Sequence, residues 1–165
     1  MISVAETWVE APLKRFVDDA RVTFALLIYP SGQVLGQSGF ARAVDVMSAA
    51  ALAAGIYATV RELGRSFPGK GFRDVFHAGV KRRLYLAELV TPRGPCVLLT
   101  VFDDQSSLGL VQLYFEELRT ALAQTKVQVP DAVQMLDENF ELELNRNLAM
   151  LFGRAPGQRN ITPTS

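Results

Sequence analysis

The sequence predicts an α/β sandwich, helices packed on an antiparallel sheet, and three observations predict it. Apolar patterns run in the order helix, two strands, long helix, three strands, helix. The connections between neighbouring strands are short enough for antiparallel hairpins. About half of the residues (49%) are apolar and 21% charged, which builds a core and excludes a disordered chain. Seventeen basic residues balance seventeen acidic ones, in no block of one sign, so nothing in the net charge draws the protein to nucleic acid or anionic lipid.

The first element is a helix. Ala5, Trp8, Pro12, Phe16 and Ala20 recur at helical spacing, widened by Leu13 and Val17; because Pro12 suits a first turn, the firm helix is expected from near Ala11. Val22 to Tyr29 reads as a strand, Pro30-Ser31-Gly32 as a turn, and Gln33 to Ser38 as the return strand. Val44 to Arg65 is the longest helical pattern. Placed at about 100° per residue, Ala49, Leu52, Ala53, Ile56, Val60 and Leu63 share one face, which is expected to cover the sheet. Met47, Ala50, Ala51, Ala54, Ala58 and Arg61 share another, a stripe of mainly small side chains. Such a stripe lets a second backbone approach and is read as a partner-binding face, although helix propensity alone also favours alanine. Pro68-Gly69-Lys70-Gly71 breaks the helix.

Three strands follow, Phe72 to Val80, Leu84 to Thr91 and Cys96 to Phe102, and then a helix from Leu108 to Lys126 with Ser106 or Ser107 as its cap. The domain is expected to span 1–126. Residues 127–152 read as a linker and a C-terminal amphipathic helix, whose stripe of Val133, Leu136, Phe140, Leu144, Leu148 and Leu151 has acids beside it at Asp131, Asp137, Glu138, Glu141 and Glu143. This stripe either folds back on its own domain or serves as a second docking helix. Residues 153–165, rich in Gly, Pro, Asn and Thr, are expected to be disordered.

Little in the chain suggests catalysis. One cysteine, Cys96, and one histidine, His77, make no internal disulfide and no zinc site, and neither a metal nor a cofactor is expected. Gly64 to Lys70 matches the glycines and lysine of a phosphate loop, but Gly71 stands where Ser or Thr would hold magnesium. These glycines also leave a helix where a phosphate loop would enter one. His77 has no suggested orienting partner, and Asp103-Asp104 point to opposite faces of a strand. The apolar run from Met47 to Val60 is shorter than a membrane span, and the N-terminus carries no leader pattern, so a cytoplasmic protein without membrane insertion is expected.

Several stretches resemble the roadblock/dynein light chain family. They are Phe76-His77-Ala78-Gly79 with Leu84-Tyr85, CVLLTVFDDQSSLGLVQL from Cys96 to Leu113, ALLIYPSGQVLGQSG from Ala25 to Gly39, and the alanine-rich helix from Ala49 to Gly64. Val101-Phe102-Asp103-Asp104 followed by Ser107-Leu108-Gly109-Leu110-Val111 is most similar to the bacterial members that regulate a small Ras-like GTPase of the MglA type. Tyr29, where relatives often carry Asp, and a longer loop from Gly64 to Gly71 depart from the pattern. The resemblance implies a roadblock-type sandwich: a five-stranded antiparallel sheet with the long central helix on one face and the terminal helices on the other. It implies a homodimer with sheets joined edge to edge and central helices side by side, which makes Phe76, His77 and Ala78 the expected dimer edge. It also implies a GTPase-activating role without an arginine finger, in cell polarity or gliding motility and at a cell pole. A scaffold that binds without accelerating hydrolysis, and an enzyme built on the same sandwich, are the competing readings.

Overall fold

The computed structural model describes residues 6–40, 45–126 and 142–150. The chain divides into two units, Met1–Val127 and Gln128–Ser165. The first contains α1 (Thr7–Asp19), β1 (Phe24–Ile28), β2 (Val34–Gly39), α2 (Val46–Arg65), β3 (Asp74–Ala78), β4 (Arg83–Thr91), β5 (Gly94–Phe102) and α3 (Leu108–Gln124). The five strands form one antiparallel sheet in the order β2-β1-β5-β4-β3.

Strand alternation splits the core in two. Ala25, Leu27, Tyr85, Ala87, Leu89, Cys96, Leu98 and Phe102 face α1 and α3, where they meet Val9, Leu13, Phe16 and Val17 of the first helix and Val111, Phe115, Leu118 and Leu122 of the last. Phe24, Leu26, Ile28, Leu86, Val97 and Leu99 face α2 and meet Ala50, Ala53 and Tyr57. Every residue of β1 is buried, since a central strand covered on both sides needs an unbroken apolar run. The roadblock-type sandwich is therefore present, with its long helix on one face and α1 and α3 on the other.

Two helices differ from expectation. α1 starts at Thr7 and runs through Pro12, which removes one backbone hydrogen bond; burial of Val9 and Leu13 on either side of the proline holds the turn helical. α2 is rotated. Leu52, Ile56 and Leu63, expected on the sheet, are 69%, 38% and 49% exposed, whereas Ala50 is wholly buried on the sheet beside Ala53 and Tyr57. The reason is distance: alanines let the helix axis approach the sheet closely, and larger side chains would hold it off. A side chain at Gly64 would meet the Gly71 backbone at 3.2 Å, so the end of α2 is equally close to the chain leading into β3.

The caps follow from the sequence. Asp45 accepts from the backbone N–H of Met47 and Ser48 at 3.1 and 3.3 Å, and Ser107 accepts from Leu110 N–H at 3.2 Å. Ser106 is instead buried, its hydroxyl donating to the Ala20 carbonyl and tying the α3 entry to the end of α1.

One buried hydroxyl lacks a partner among the described residues, Thr100 Oγ1 on β5. Thr100→Val keeps the shape and removes an unpaired polar atom. Urea unfolding is expected to show the variant equal to wild type or more stable by about 1 kcal/mol; a loss of that size would reveal a partner for the hydroxyl. The buried Tyr85 phenol donates to Asp74 Oδ2 at 3.0 Å, and burial, then that carboxylate, raise its pKa above the ordinary 10.0. A group whose folded pKa is raised contributes stability that is complete below its unfolded pKa and lost as pH climbs towards the folded value. Stability should therefore decline above about pH 10 more steeply in wild type than in Tyr85→Phe, as chemical denaturation at stepped pH would show.

Candidate protein interface

α2 presents two different flanks. Gly32, in the β1–β2 turn, lies against Ala54 and the Ala50–Ala51 backbone, so that flank faces the turn. At about 100° per residue, Leu52, Ile56 and Leu63 fall on the opposite flank and form an exposed apolar row. The inward face is pinned by Tyr57, whose hydroxyl donates to Glu88 Oε2 on β4 at 2.7 Å. Burial and the Glu88 carboxylate raise the Tyr57 pKa, with Arg61 nearby pulling the other way, so the phenol remains a donor at neutral pH.

The expected partner-binding residues are not one surface. Met47, Ala51, Ala58 and Arg61 are exposed, Ala54 is half-buried, and Ala50 has no accessible surface. Ala50 is thus a sheet contact and not a contact for a partner. The row of Leu52, Ile56 and Leu63 was missed because α2 is apolar on more than one side, and periodicity alone does not say which side meets the sheet. The signal that could have found it was size, since alanines on a sheet-covering helix permit the closer packing.

β3 is one edge of the sheet, paired among the described residues only with β4. Phe76 is 44% exposed, its ring 6.3 Å from that of Phe102, and His77 and Ala78 are exposed beside it. No Lys, Arg or Pro lies within Asp74–Ala78, so the strand lacks the usual obstacles to edge pairing. The opposite edge is different. The β1–β2 register shifts between Leu27 and Ile28, passing over Leu35, and the Glu6 N–H donates to the Leu35 carbonyl at 3.1 Å.

The Gly64–Lys70 segment leaves the C-terminal end of α2, with Phe67 and Phe72 beside it as an exposed edge-on pair 6.2 Å apart. That is the wrong end of a helix for a phosphate. Among the described residues no three His, Cys, Asp or Glu side chains are placed to hold a metal ion. Cys96 is buried, and burial raises its thiol pKa, which keeps it protonated and unreactive. α2 is long and apolar enough by length and composition to cross a membrane, but one of its faces lies on the sheet. In the second unit, residues 142–150 are helical and exposed, Leu144 and Leu148 among them. Val133, Leu136, Phe140 and Leu151 of the expected docking helix lie outside the described residues, as does the tail from 153.

Comparison with known proteins agrees with this architecture. MglB of Myxococcus xanthus is similar, with a TM-score of 0.65 and 30% identity over 72% of this chain and 94% of that one. The gliding protein MglB of Thermus thermophilus gives a TM-score of 0.64 and 25% identity over 75% and 92%. An MglB in a tetrameric arrangement shares the fold, with a TM-score of 0.65 at 24% identity over 75% and 91%. No curated protein matches the chain by sequence. The family model for the Roadblock/LC7 domain matches residues 9–102, which spans α1 to the end of β5, and the chain belongs to that family.

Proposed function

We propose that this protein is a homodimeric regulator of a small Ras-like GTPase of the MglA type, acting in the cytoplasm to accelerate GTP hydrolysis. The observation that carries the reading is the likeness to Myxococcus xanthus MglB over nearly that whole chain. The Roadblock/LC7 fold is that of a regulatory or adaptor domain and not of a typical enzyme. Phosphoryl transfer depends on positioning and electrostatics, so a bound protein can activate hydrolysis by reordering the GTPase's own catalytic groups, without adding an arginine to its site.

The exposed features of α2 support a division of labour. The exposed apolar row of Leu52, Ile56 and Leu63 suits a second copy, with two central helices lying side by side. The other flank, carrying Met47, Ala51, Ala58 and Arg61 with Ala54 at its rim, then remains open for the GTPase. The C-terminal segment from Val133 to Leu151 is the second docking element, and its five acids from Asp131 to Glu143 favour a basic patch on the GTPase.

Mixing the protein with a GTP-loaded MglA-type GTPase should raise the rate of phosphate release. GTP-dependent binding without acceleration would instead make it a scaffold. Ala58→Arg should weaken the GTPase complex tenfold or more, about 1.4 kcal/mol, in titration calorimetry while the dimer persists. Ile56→Arg should shift light scattering towards the monomer mass, 18.1 kDa. Deleting Pro130–Ser165 should leave dimerisation and melting temperature nearly unchanged yet weaken the GTPase complex and reduce its salt sensitivity. Full GTPase affinity after the deletion would remove the second docking element from the account.

A further inference from the structure

We infer that the groove beside the end of β4 binds an extended acidic peptide from a partner protein, which adds to the sheet as a short strand against Val90.

The groove exists because β3 stops short. β4 runs from Arg83 to Thr91, but β3 pairs with it only from Asp74↔Ala87 to Ala78↔Arg83. Glu88 to Thr91 therefore extend past the β3 ladder, with no further strand on that side among the described residues. Gly71, at φ 75°, turns the chain away from β4, and its backbone is packed against Gly64 at the end of α2. Between this departing segment and the last turns of α3 a groove of about 590 Å³ is left, the size of a binding cleft.

The backbone along its floor is available. Gly79 N–H donates to the Arg82 carbonyl at 2.8 Å, and alternation along an antiparallel ladder then turns the backbone groups of Leu84, Leu86, Glu88 and Val90 to the same side, towards β3. β5 agrees with this phase, because the residue opposite Val90 is Pro95, which has no N–H to exchange with it. The N–H and C=O of Val90 thus face the groove beyond the end of the β3 ladder. An extended chain laid there exchanges two hydrogen bonds with Val90, the pattern by which peptides add to sheet edges.

Charge selects the peptide. Lys70, Arg73 and Arg119 line the groove. The single carboxylate of Glu116 serves both guanidiniums, 3.4 Å from Arg73 and 3.0 Å from Arg119 Nε, and Lys70 makes no ion pair among the described residues. The acid in the groove wall, Glu88, is engaged by the Tyr57 hydroxyl. Cations therefore exceed the acids that answer them, and the complement is negative. Leu89 faces α3, so Val90 faces the other way and is 59% exposed. The peptide residue opposite Val90 lies beside that valine and suits an apolar side chain, while its two neighbours point to the α3 side, towards Arg119. The groove accordingly favours acids alternating with apolar residues.

The test uses the full chain and a labelled peptide that alternates glutamate with valine, with a lysine–valine peptide as control. Fluorescence anisotropy should show saturable binding of the acidic peptide that weakens with salt, and none of the basic one. Arg119→Glu should weaken that binding about tenfold or more. Amide exchange followed by NMR reads the strand in the wild type itself: exchange of the Val90 N–H should slow about tenfold or more with peptide present. Absence of saturable binding, or equal binding of the basic peptide, overturns the proposal. Binding that leaves Val90 exchange unchanged also overturns it, because charge alone then holds the peptide. Two rival occupants give their own results. Peptide binding that splits a dimer into monomers in light scattering assigns the groove to a second copy. Binding seen only in the Glu138→Lys, Glu141→Lys double variant assigns it to the chain's own acidic segment. Either result overturns the proposal.

Discussion

The close seating of α2 on the sheet is the constraint from which the other features follow. Ala50 and Ala53 leave no side-chain bulk between helix and strands, so the contact is made by Phe24, Leu26, Ile28, Val97 and Leu99 reaching up from below. The arrangement inverts the usual pattern of an amphipathic helix, in which large residues go inward. Of the large residues of α2, Tyr57 turns inward, whereas Leu52, Ile56 and Leu63 become surface. One packing decision at the core thereby produces the exposed apolar row. The polar connection on this face, Tyr57 to Glu88, lies further along the helix and fixes its rotation, since turning α2 would withdraw the phenol from its acceptor.

The two faces of the sheet are built differently. Towards α1 and α3 the core is thick, with Phe16, Phe102, Phe115 and the buried leucines of strands and helices, among them Leu13, Leu27 and Leu98. Towards α2 it is thin. A thick layer tolerates an irregularity such as Pro12 inside α1, because many neighbouring contacts hold the helix in place. A thin layer does not, which explains why α2 has neither proline nor a bulky inward residue apart from Tyr57.

Much of the fold was legible in the sequence, for physical reasons that can be named. Val22 to Tyr29 reads as a strand because burial on both faces demands an unbroken apolar run, and β1 has that environment. Ser107 and the Pro68–Gly71 breaker mark helix ends through local chemistry that tertiary packing does not override. The rotation of α2 was not legible, because a helix with apolar residues on several sides has no unique inward face until the depth of the sheet is known. The partner face inferred from alanine consequently included Ala50, which the sheet itself covers.

The unlike edges of the sheet bear on how large an assembly can become. β2 is irregular where the register passes over Leu35, and the N-terminal segment sits on it through Glu6, whereas β3 is regular and, among the described residues, uncovered. A sheet with two regular open edges can add copies at both ends and grow into a ribbon without limit. A sheet with one can be extended once, after which the joined pair offers only its two irregular rims. If the homodimer proposed above forms through β3, that pairing is self-terminating: it gives a closed pair with two-fold symmetry and leaves any higher assembly to surfaces of another kind.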